Sequence, residues 1–258
     1  MPLAFITGAS SGIGQALALR YYQAGHALAL VARRTAEIEA WRVANGLDAQ
    51  RVCIYEADVA MPDSIMAAGQ ASIARQGLAD VVIANAGISI GMDTAMREDI
   101  AVMARIFAVN NTGMAATFQP FVQAMRERRS GTLVGIASVA AIRGLPGHGG
   151  YCASKAGVVA YCESLRGELR PDGVKVVTLV PGYIDTPLTR KNRYAMPFLM
   201  SATRFADKAF NAIQAGASYR TIPWQMGVVA KLMRALTNAW FDRLLVGRAR
   251  KPRQTDGA

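Results

Sequence analysis

The sequence predicts an α/β protein built on a doubly wound, mostly parallel sheet of seven strands, with helices on both faces. Seven short apolar runs alternate with longer segments that are compatible with helices. Runs such as ALALVA and VKVVTLV are continuously apolar, as expected for strands that are buried on both faces. Most intervals between the runs are long enough for the crossover helices that parallel strands require. The predicted strands are residues 3–6, 27–32, 51–55, 80–84, 132–137, 174–180 and 219–222.

Two segments are predicted to form long helices, residues 97–129 and residues 151–170. The second is followed by a Pro-Asp-Gly sequence, which is typical of a helix terminus. A length of 258 residues fits one large α/β domain, and no internal repeat or low-complexity linker divides the chain. We expect residues 1–222 to form the body of this domain, and residues 223–258 to add a basic amphipathic helix and a tail. The last residues, 248–258, are expected to fray.

The composition excludes several classes of protein. Hydrophobic residues make up 52% of the chain and charged residues 18%, which is not the composition of a disordered chain, a coiled coil or a collagen-like repeat. No run of about 18 uncharged apolar residues occurs, so no membrane-spanning helix is expected. The N-terminal sequence MPLAFITGAS leaves no room for a secretion signal. A cytoplasmic location is therefore expected.

No metal site is expected. His26 and His148 lie far apart in the sequence, without a cysteine pair or a carboxylate cluster nearby. The three cysteines lie in apolar stretches and lack the spacing of metal ligands: Cys53, Cys152 and Cys162. Free cysteines of this kind are usual in a reducing cytosol.

A glycine-rich loop, residues 7–14, follows the first predicted strand and precedes a predicted helix. This order of strand, turn and helix is the setting that a dinucleotide-binding loop requires. Gly8 permits the tight turn, Gly12 lets the backbone approach a pyrophosphate, and Gly14 lets the helix pack closely on the strand. The phosphates would then meet the N-terminus of the helix. The alternative is a glycine-rich turn that binds no ligand.

Two arginines indicate which dinucleotide is bound. Arg33 and Arg34 follow the second strand, where a carboxylate would bind the ribose 2′-hydroxyl of NAD. A guanidinium group can instead form bidentate, charge-assisted hydrogen bonds with the 2′-phosphate of NADP. The sequence therefore favours NADP over NAD. The alternative is a solvated arginine pair at the start of a helix.

Tyr151 and Lys155 are four residues apart in a predicted helix, so their side chains share one face. The lysine ammonium group can lower the pKa of the tyrosine from about 10 towards the range of a general acid/base. Taken alone, this spacing is a weak signal, because incidental pairs of this kind are common. It gains weight from the motifs that accompany it: the glycine loop, Asn85-Ala86-Gly87 after the fourth strand, Asn110, Ser138 after the fifth strand and Pro181-Gly182 after the sixth.

With these motifs in this order, the chain resembles the short-chain dehydrogenase/reductase family over roughly residues 2–186. The resemblance implies a Rossmann-like fold. It also implies that Tyr151 protonates the carbonyl oxygen as hydride arrives from the nicotinamide, and that Ser138 hydrogen-bonds the same oxygen. Lys155 would hold the nicotinamide ribose and lower the pKa of Tyr151. Asn110 would break the long helix locally and hold a water that links Lys155 to solvent.

The resemblance further implies which residues contact the cofactor. Asp58 and Val59 would contact the adenine, and Thr186 would bond the carboxamide. Asp58 could instead cap the next helix, and Thr186 could instead shape a turn before Pro187. The full expected set is Gly8, Ser10, Ser11, Gly12, Ile13, Gly14, Arg33, Arg34, Asp58, Val59, Asn85, Ala86, Gly87, Tyr151, Lys155, Pro181, Gly182, Ile184 and Thr186.

The substrate is expected beyond the carboxyl ends of the strands, near residues 138–150 and after Pro181. The second of these stretches, residues 183–205, contains an apolar string, Met-Pro-Phe-Leu-Met, at 196–200. This string is expected to be either a helix that packs on the core or a mobile lid over an apolar substrate.

Nearly all of the net charge of +11 lies in the last quarter of the chain. Residues 1–189 contain 16 Lys and Arg against 15 Asp and Glu, whereas residues 190–258 contain 13 against 3. The segment 223–246 is amphipathic. It either docks on the domain or on a partner subunit, or it lies on an anionic membrane surface. Its apolar positions are Val228, Leu232, Leu236, Trp240 and Leu244, and the basic tail that would assist membrane binding contains Arg248, Arg250, Lys251 and Arg253.

The sequence thus predicts an NADP-dependent oxidoreductase that interconverts a small-molecule carbonyl and its alcohol, with an apolar substrate favoured. A homo-oligomer, either a dimer or a tetramer, is expected, and no nucleic-acid partner is expected. The alternative is a catalytically silent NADP-binding protein with a regulatory role or a role at a membrane surface. The complete set of Asn110, Ser138, Tyr151 and Lys155 argues against that alternative, since a protein without turnover has no physical need for all four.

Overall fold

The predicted seven-stranded sheet is present in the computed structural model, which describes residues 1–190, 192, 195–247 and 250–253. The strands are β1 Leu3–Thr7, β2 Ala27–Ala32, β3 Val52–Glu56, β4 Val81–Ala84, β5 Thr132–Ile136, β6 Lys175–Pro181 and β9 Tyr219–Ile222. Each strand end lies within one residue of its predicted position. Every strand pair in this sheet is parallel, and the strand order is β3-β2-β1-β4-β5-β6-β9. Two short strands, β7 Ile184–Asp185 and β8 Met200–Ser201, pair separately.

Helices cover both faces of the sheet, as predicted. The buried side chains form two clusters, one on each face, and neighbouring residues of β1 show why: Phe5 belongs to one cluster and Ile6 to the other. Phe5 packs against Phe121, and their ring centroids are 4.9 Å apart. The helices are α1 Gly12–Gln23, α2 Thr35–Ala44, α3 Pro62–Gln76, α4 Asp99–Phe107, α5 Gly113–Arg128, α6 Gly149–Leu169, α7 Ala202–Gln214, α8 Trp224–Ala235 and α9 Asn238–Leu245.

The strand order places a crevice at the carboxyl ends of β1 and β4. The chain runs outward from β1 through β2 to β3 and then returns to the other side of β1 at β4. The connecting segments therefore diverge between these two strands, and open parallel sheets bind their ligands at such a switch point.

The predicted long helix over residues 97–129 is interrupted. It consists of α4 and α5 with a π-helical turn, Ala108–Thr112, between them. Two contacts favour the turn at this place. Asn110, inside the turn, has its amide hydrogen-bonded to neighbouring elements, and Gly113 packs so closely that an added Cβ would overlap the carbonyl oxygen of Val59. The local break that the family resemblance implies at Asn110 is therefore present.

The predicted single helix over 223–246 is wrong, because the segment forms two helices, α8 and α9, with an extended Leu236 between them. The physical reason is Arg143. Its guanidinium group donates to the carbonyl oxygens of Met233 and Leu236 at 2.6 and 2.7 Å, which satisfies acceptors at the end of α8. The same group lies 3.9 Å from the ring centroid of Phe241 in α9.

The apolar string at 196–200 does not form the helix that was one of its two expected forms, and the lid stays a prediction. Within the string, Phe198 has a positive φ of 58°, and Met200 pairs with Ile184 in the small sheet. Phe198 and Leu199 are half-exposed and line a second cavity, and neither of them lines the cavity of the crevice. Residues 191, 193 and 194 of the expected lid lie outside the described residues.

The tail is docked where it is described, although it was predicted to fray. Residues 250–253 lie along the segment after β4, and the N–H group of Gly91 donates to the carbonyl oxygen of Pro252 at 3.2 Å. Ion pairs between Arg253 and two carboxylates, which the composition of the tail does not reveal, explain the difference. Residues 248, 249 and 254–258 lie outside the described part. Within the described residues, no helix is both long enough and apolar enough to cross a membrane.

Candidate active site

The crevice holds a cavity of about 610 Å³ that brings the predicted site residues together. All of the predicted residues line it except Gly14 and Asn110, which lie behind the lining. Arg33, Arg34 and Asp58 line it beside β2 and β3, and Ser138, Tyr151 and Lys155 line it beside β5 and α6. The volume falls within the usual range of ligand sites.

The glycine loop is fixed by close backbone contacts. Gly8 has a φ of +67°, and an added Cβ would lie 2.8 Å from the Cα of Ala86. At Gly14 an added Cβ would overlap the carbonyl oxygen of Gly8, so α1 could not approach the loop as closely with a larger residue. These positions therefore require glycine for the reasons that the sequence suggests.

Asn85 joins this loop to the end of β4. Its side-chain amide donates to the carbonyl oxygens of Thr7, at 2.9 Å, and Gly8, at 3.3 Å. The hydroxyl oxygen of Thr7 accepts hydrogen bonds from the backbone N–H groups of Asn85 and Ala86 at 3.1 and 3.2 Å. Sequence reasoning did not assign a role to Thr7. The sequence feature that could have indicated such a role is a hydroxyl residue at the last position of β1.

The two arginines and Asp58 form the rim of the cavity beside β2. Arg33 lies 3.6 Å from Asp58, measured from Nη1 to Oδ2. Arg34 donates to Ser10 Oγ in the glycine loop at 3.2 Å and pairs with Glu37 at 3.0 Å. Asp58 does not cap α3: its Oδ1 accepts from the N–H group of Ala60 at 2.9 Å. The side chains of Arg33 and Arg34 are both partly exposed, and they lie at the rim of the cavity beside the glycine loop.

Ser138, Tyr151 and Lys155 form the other part of the cavity. Ser138 follows β5 and accepts a hydrogen bond from the N–H group of Ala140 at 3.2 Å. Lys155 is buried, and its Nζ donates to the carbonyl oxygen of Ile136 at 2.7 Å. The same nitrogen lies 5.9 Å from the ring centroid of Tyr151. The lysine is thus held by the end of β5, beside the tyrosine ring.

Burial controls the proton affinities of this pair. Burial raises the pKa of Tyr151 above its usual value, and the nearby Ser138 hydroxyl opposes this in part. The sequence predicts the opposite direction, because it considers the charge of Lys155 without the loss of solvent. Burial also lowers the pKa of Lys155 to about 8. The ammonium charge that was expected to lower the tyrosine pKa is therefore itself disfavoured in the protein alone.

Asn110 ties the π-helical turn to its surroundings. Its amide nitrogen donates to the carbonyl oxygen of Ile88 and to Ser154 Oγ, and its Oδ1 accepts from the N–H group of Ile88, all between 2.9 and 3.0 Å. Ser154 in turn donates to the carbonyl oxygen of Tyr151 at 2.8 Å. Ser154 is fully buried and was not predicted. Its position immediately before Lys155 was the available signal.

Further lining residues were also missed by sequence reasoning. Apolar side chains from the segments after β4 and β7 meet in the cavity, and two cations join them. Thr186 is buried, and its carbonyl accepts from the N–H groups of Thr189 and Arg190, so it shapes a turn as well as lining the cavity. The added residues include Ile88, Ser89, Ile90, Arg105, Leu188 and Lys251.

A model of the short chain dehydrogenases matches residues 2–196. This chain belongs to the short-chain dehydrogenase family. It is 37% identical over 239 residues to an uncharacterized oxidoreductase of Myxococcus xanthus, covering 93% of this chain and 94% of the relative. Membership of this family supports an oxidoreductase activity and a Rossmann-like fold that binds a nucleotide.

Solved structures of the family share the fold and differ in cofactor. A short-chain dehydrogenase from Sphingobium yanoikuyae in complex with NADPH is 25% identical, with a TM-score of 0.75 over 93% of this chain and 98% of that chain. A short-chain dehydrogenase/reductase from Burkholderia phymatum in complex with NAD is 24% identical, with a TM-score of 0.79 over 90% of this chain and 92% of that chain. The choice between the two cofactors therefore depends on the residues of this chain.

Replacing Lys155 should change how stability varies with pH. An unfolded lysine titrates near 10.5 and buried Lys155 at about 8, so burying the charge destabilises the protein below pH 8. Between these two values the unfolded chain holds the proton more tightly, and the free energy of unfolding rises with pH by up to about 3 kcal/mol. Lys155→Met should remove this rise in the free energy of unfolding. Urea denaturation of the wild type and of Lys155→Met at pH 7 and pH 10 measures the difference.

The matched control for this experiment is Lys175→Met, at an exposed lysine. Between pH 7 and pH 10, the free energy of unfolding relative to the wild type should change more for Lys155→Met than for this control, which removes a side chain that is already in solvent. The loss of the hydrogen bond to Ile136 is independent of pH, so the comparison uses only the change between pH 7 and pH 10. Equal changes for the two variants would contradict the assignment of a depressed pKa to Lys155.

Proposed function

We propose that this protein is an NADP-dependent oxidoreductase that interconverts a carbonyl and an alcohol, with Tyr151 as the acid/base. The observation that supports it best is the convergence of Ser138, Tyr151 and Lys155 in one cavity with the glycine loop. The cavity suits a dinucleotide: it extends between two guanidinium groups and a buried ammonium group, and glycines leave its wall bare of side chains. When bound, the cofactor supplies or accepts a hydride.

The proposed mechanism assigns one task to each side chain. Tyr151 donates a proton from its hydroxyl to the carbonyl oxygen during reduction, and accepts it from the alcohol in the reverse direction. A raised pKa keeps this hydroxyl protonated, which suits the acid of the reductive direction. Ser138 donates a hydrogen bond to the same substrate oxygen, where negative charge develops. Lys155 adds a positive charge beside the tyrosine ring and offers its N–H groups to the ribose.

Asn110 supports the mechanism from behind the cavity. Through Ser154 its hydrogen bonds reach the backbone of Tyr151, so it fixes the π-helical turn against the catalytic helix. The proposed water that links Lys155 to solvent would lie near this turn. The substrate side of the cavity is lined by Ile88, Ile90 and Leu188, which supports a largely apolar substrate.

Replacing the proposed acid tests this function. Tyr151→Phe removes the proton donor and retains the ring, so turnover should fall by about 10² or more while NADPH binding survives. Tyr161→Phe is the matched control, because Tyr161 is a partly exposed tyrosine on the same helix. Reduction of a panel of ketones and aldehydes is followed by NADPH absorbance. Near-normal turnover by Tyr151→Phe refutes the assignment, and wild-type protein that binds NADPH without turnover favours the catalytically silent alternative.

We also propose that the guanidinium groups select NADP. Arg34 lies against Ser10 of the glycine loop, and Arg33 lies near Asp58, so both flank the place where a 2′-phosphate would project. Loss of one charge-assisted contact should weaken NADPH binding by about tenfold to a hundredfold and should spare NADH. Titration of Arg33→Ala and Arg34→Ala with both cofactors measures this. Arg75→Ala, an exposed arginine of α3, is the control, and equal weakening of both cofactors would exclude a specific phosphate contact.

A second role is supported by the exposed face of the C-terminal helices. One side of α8 and α9 is buried on the domain through Met226, Ala230 and Phe241. The opposite side leaves large apolar residues in solvent, and Trp224, Leu232 and Trp240 are exposed by 69%, 65% and 61%. Soluble proteins rarely expose large contiguous apolar patches without a partner.

The charges beside this face favour an anionic membrane surface as the partner. Trp224 also borders the second cavity, of about 540 Å³, which is lined by Arg204, Lys208 and Arg220. The described residues that line it include no carboxylate. Exposed Trp and Leu beside cations are typical of segments that lie in a membrane interface. We therefore propose a cytoplasmic protein with peripheral membrane association. The expected homo-oligomer stays a prediction.

Co-sedimentation with lipid vesicles tests the membrane proposal. Full-length protein should bind vesicles that contain phosphatidylserine more than phosphatidylcholine vesicles at low salt, and added salt should release it. A triple variant, Trp224→Ser, Leu232→Ser and Trp240→Ser, should lose this binding. The control variant, Val43→Ser and Ile100→Ser, changes exposed apolar residues on other helices. No preference for anionic vesicles, or a stable dimer that the triple variant abolishes, would refute the proposal.

A further inference from the structure

The turn that follows Ser138 joins the active site to the C-terminal helix pair, defined as α8 and α9. Ser138 has an extended backbone, and the next three residues, Val139–Ala141, form one turn of 3-10 helix. Ser138 itself closes this turn: its Oγ accepts from the N–H group of Ala140 at 3.2 Å, and its carbonyl oxygen accepts from the N–H group of Ala141 at 2.9 Å. A displacement of the turn would therefore displace Ser138 as well.

Ser138 lies just beyond the sheet. β5 ends at Ile136, and the N–H group of Ala137 donates to the carbonyl oxygen of Leu179 in β6 at 2.8 Å. The sheet thus holds the chain up to Ala137, and the position of Ser138 depends on the turn that follows. In the proposed mechanism Ser138 donates to the substrate oxygen, and a displacement of about 1 Å in an active site can lower a rate by about a hundredfold.

Arg143, two residues after this turn, binds the helix pair at the junction between its two helices. Its Nη1 donates to the carbonyl oxygens of Met233 and Leu236 at the end of α8, and its Nη2 donates to Asn238 Oδ1 at the start of α9, at 2.9 Å. Its guanidinium group also lies against the ring of buried Phe241. Hydrogen bonds that involve a charged group are stronger than neutral ones, so this side chain fixes the loop against both helices.

α8 holds the same region from the opposite side. Arg234 of α8 donates from Nη1 to the carbonyl oxygen of Ile142 at 3.3 Å, and α8 packs on the turn itself. At its start α8 touches another wall of the cavity, because an added Cβ on Gly182 would lie 2.7 Å from the Cγ of Met226. Gly182 and Ser138 both line the active-site cavity. α8 therefore lies behind two of its walls.

We propose that the C-terminal helix pair positions Ser138 for catalysis, and that Arg143 is the positioning residue through which it acts. This inference rests on the proposed function and deepens it, because it assigns a role in the reaction to two helices behind the active site. Neither Arg143 nor any residue of the helix pair is among the described residues that line the cavity. The effect on the reaction is therefore indirect and passes through the turn after Ser138.

Replacing Arg143 tests this inference. Arg143→Met removes the three hydrogen bonds and keeps an unbranched side chain, so kcat for a carbonyl of the panel should fall by about tenfold to a hundredfold, while NADPH binding stays unchanged. Arg143→Lys keeps the charge and retains donors for a carbonyl oxygen, so it should restore part of kcat. Arg243→Met removes an exposed arginine of α9 and is the control, which should keep the wild-type kcat.

A double-mutant cycle separates the positioning of Ser138 from a general structural effect. Ser138→Ala alone should lower kcat by about a hundredfold or more, because it removes a donor to the developing charge. If Arg143 acts through Ser138, adding Arg143→Met to Ser138→Ala should lower kcat by less than about twofold further. A purely structural role would lower kcat by the same factor with and without the Ser138 hydroxyl.

Amide hydrogen exchange measures the same contact without a substrate. The N–H groups of Ala140, Ala141 and Ile142 are hydrogen-bonded within the turn, the last of them to the carbonyl oxygen of Val139 at 3.2 Å. These three groups should exchange at least about tenfold faster in Arg143→Met, because the hydrogen bonds of the guanidinium group no longer keep the turn closed. Arg243→Met should exchange as the wild type does.

Three results would overturn the inference: a kcat of Arg143→Met equal to that of the control, an equal fall in kcat with and without the Ser138 hydroxyl, or unchanged exchange in the turn. If Arg143→Met does not fold, Arg143→Lys is compared in its place, and the same three results decide. A wild type that reduces no carbonyl refutes the proposed function and the role in catalysis together. Turnover by the wild type with no effect of Arg143 refutes this inference alone, so the two failures are distinguished.

Discussion

The hydrogen bonds between Asn85 and the end of β1 hold the active-site crevice in shape. β1 and β4 are neighbours in the sheet, but the chain leaves them in opposite directions, so the ladder cannot continue past their ends. The amide of Asn85 and the hydroxyl of Thr7 provide partners for the backbone groups that this divergence would leave unsatisfied. These hydrogen bonds fix the glycine loop relative to the sheet. The shape of the cavity beside the glycine loop depends on them.

The side of the cavity that contains Tyr151 and Lys155 depends on a different balance, between burial and charge. Lys155 is buried, and the carbonyl oxygen of Ile136 accepts its hydrogen bond, yet its pKa is still lowered to about 8. Strongly shifted pKa values of this kind are concentrated at functional sites. Tyr151 experiences the same burial, which raises its pKa. Both shifts have the same cause, because burial disfavours the charged form of each group.

Part of the basic excess of the last quarter of the chain lies in two places. In the tail, Arg250 and Arg253 pair with carboxylates after β4, so these cations hold the tail on the domain. On α7 and β9, Arg204, Lys208 and Arg220 face a separate cavity beside exposed Trp224. One charge asymmetry in the sequence thus corresponds to an internal anchor and to an outward basic surface.

The sequence by itself determined the fold and many of the residues that line the cavity, but it missed Ile88, Ile90 and Leu188. Continuous apolar runs mark strands buried on both faces, because that pattern is local in the sequence. The residues that line the cavity were expected from short motifs and from the family resemblance that those motifs carry. Only the tertiary structure decided the break between α8 and α9, the docking of residues 250–253 and the direction of the Tyr151 pKa shift. Each arises from groups far apart in sequence: Arg143 with Leu236, Arg253 with Asp99, and a tyrosine with the elements that exclude water from it. Contacts of that range leave no local pattern, so the sequence alone could not predict them.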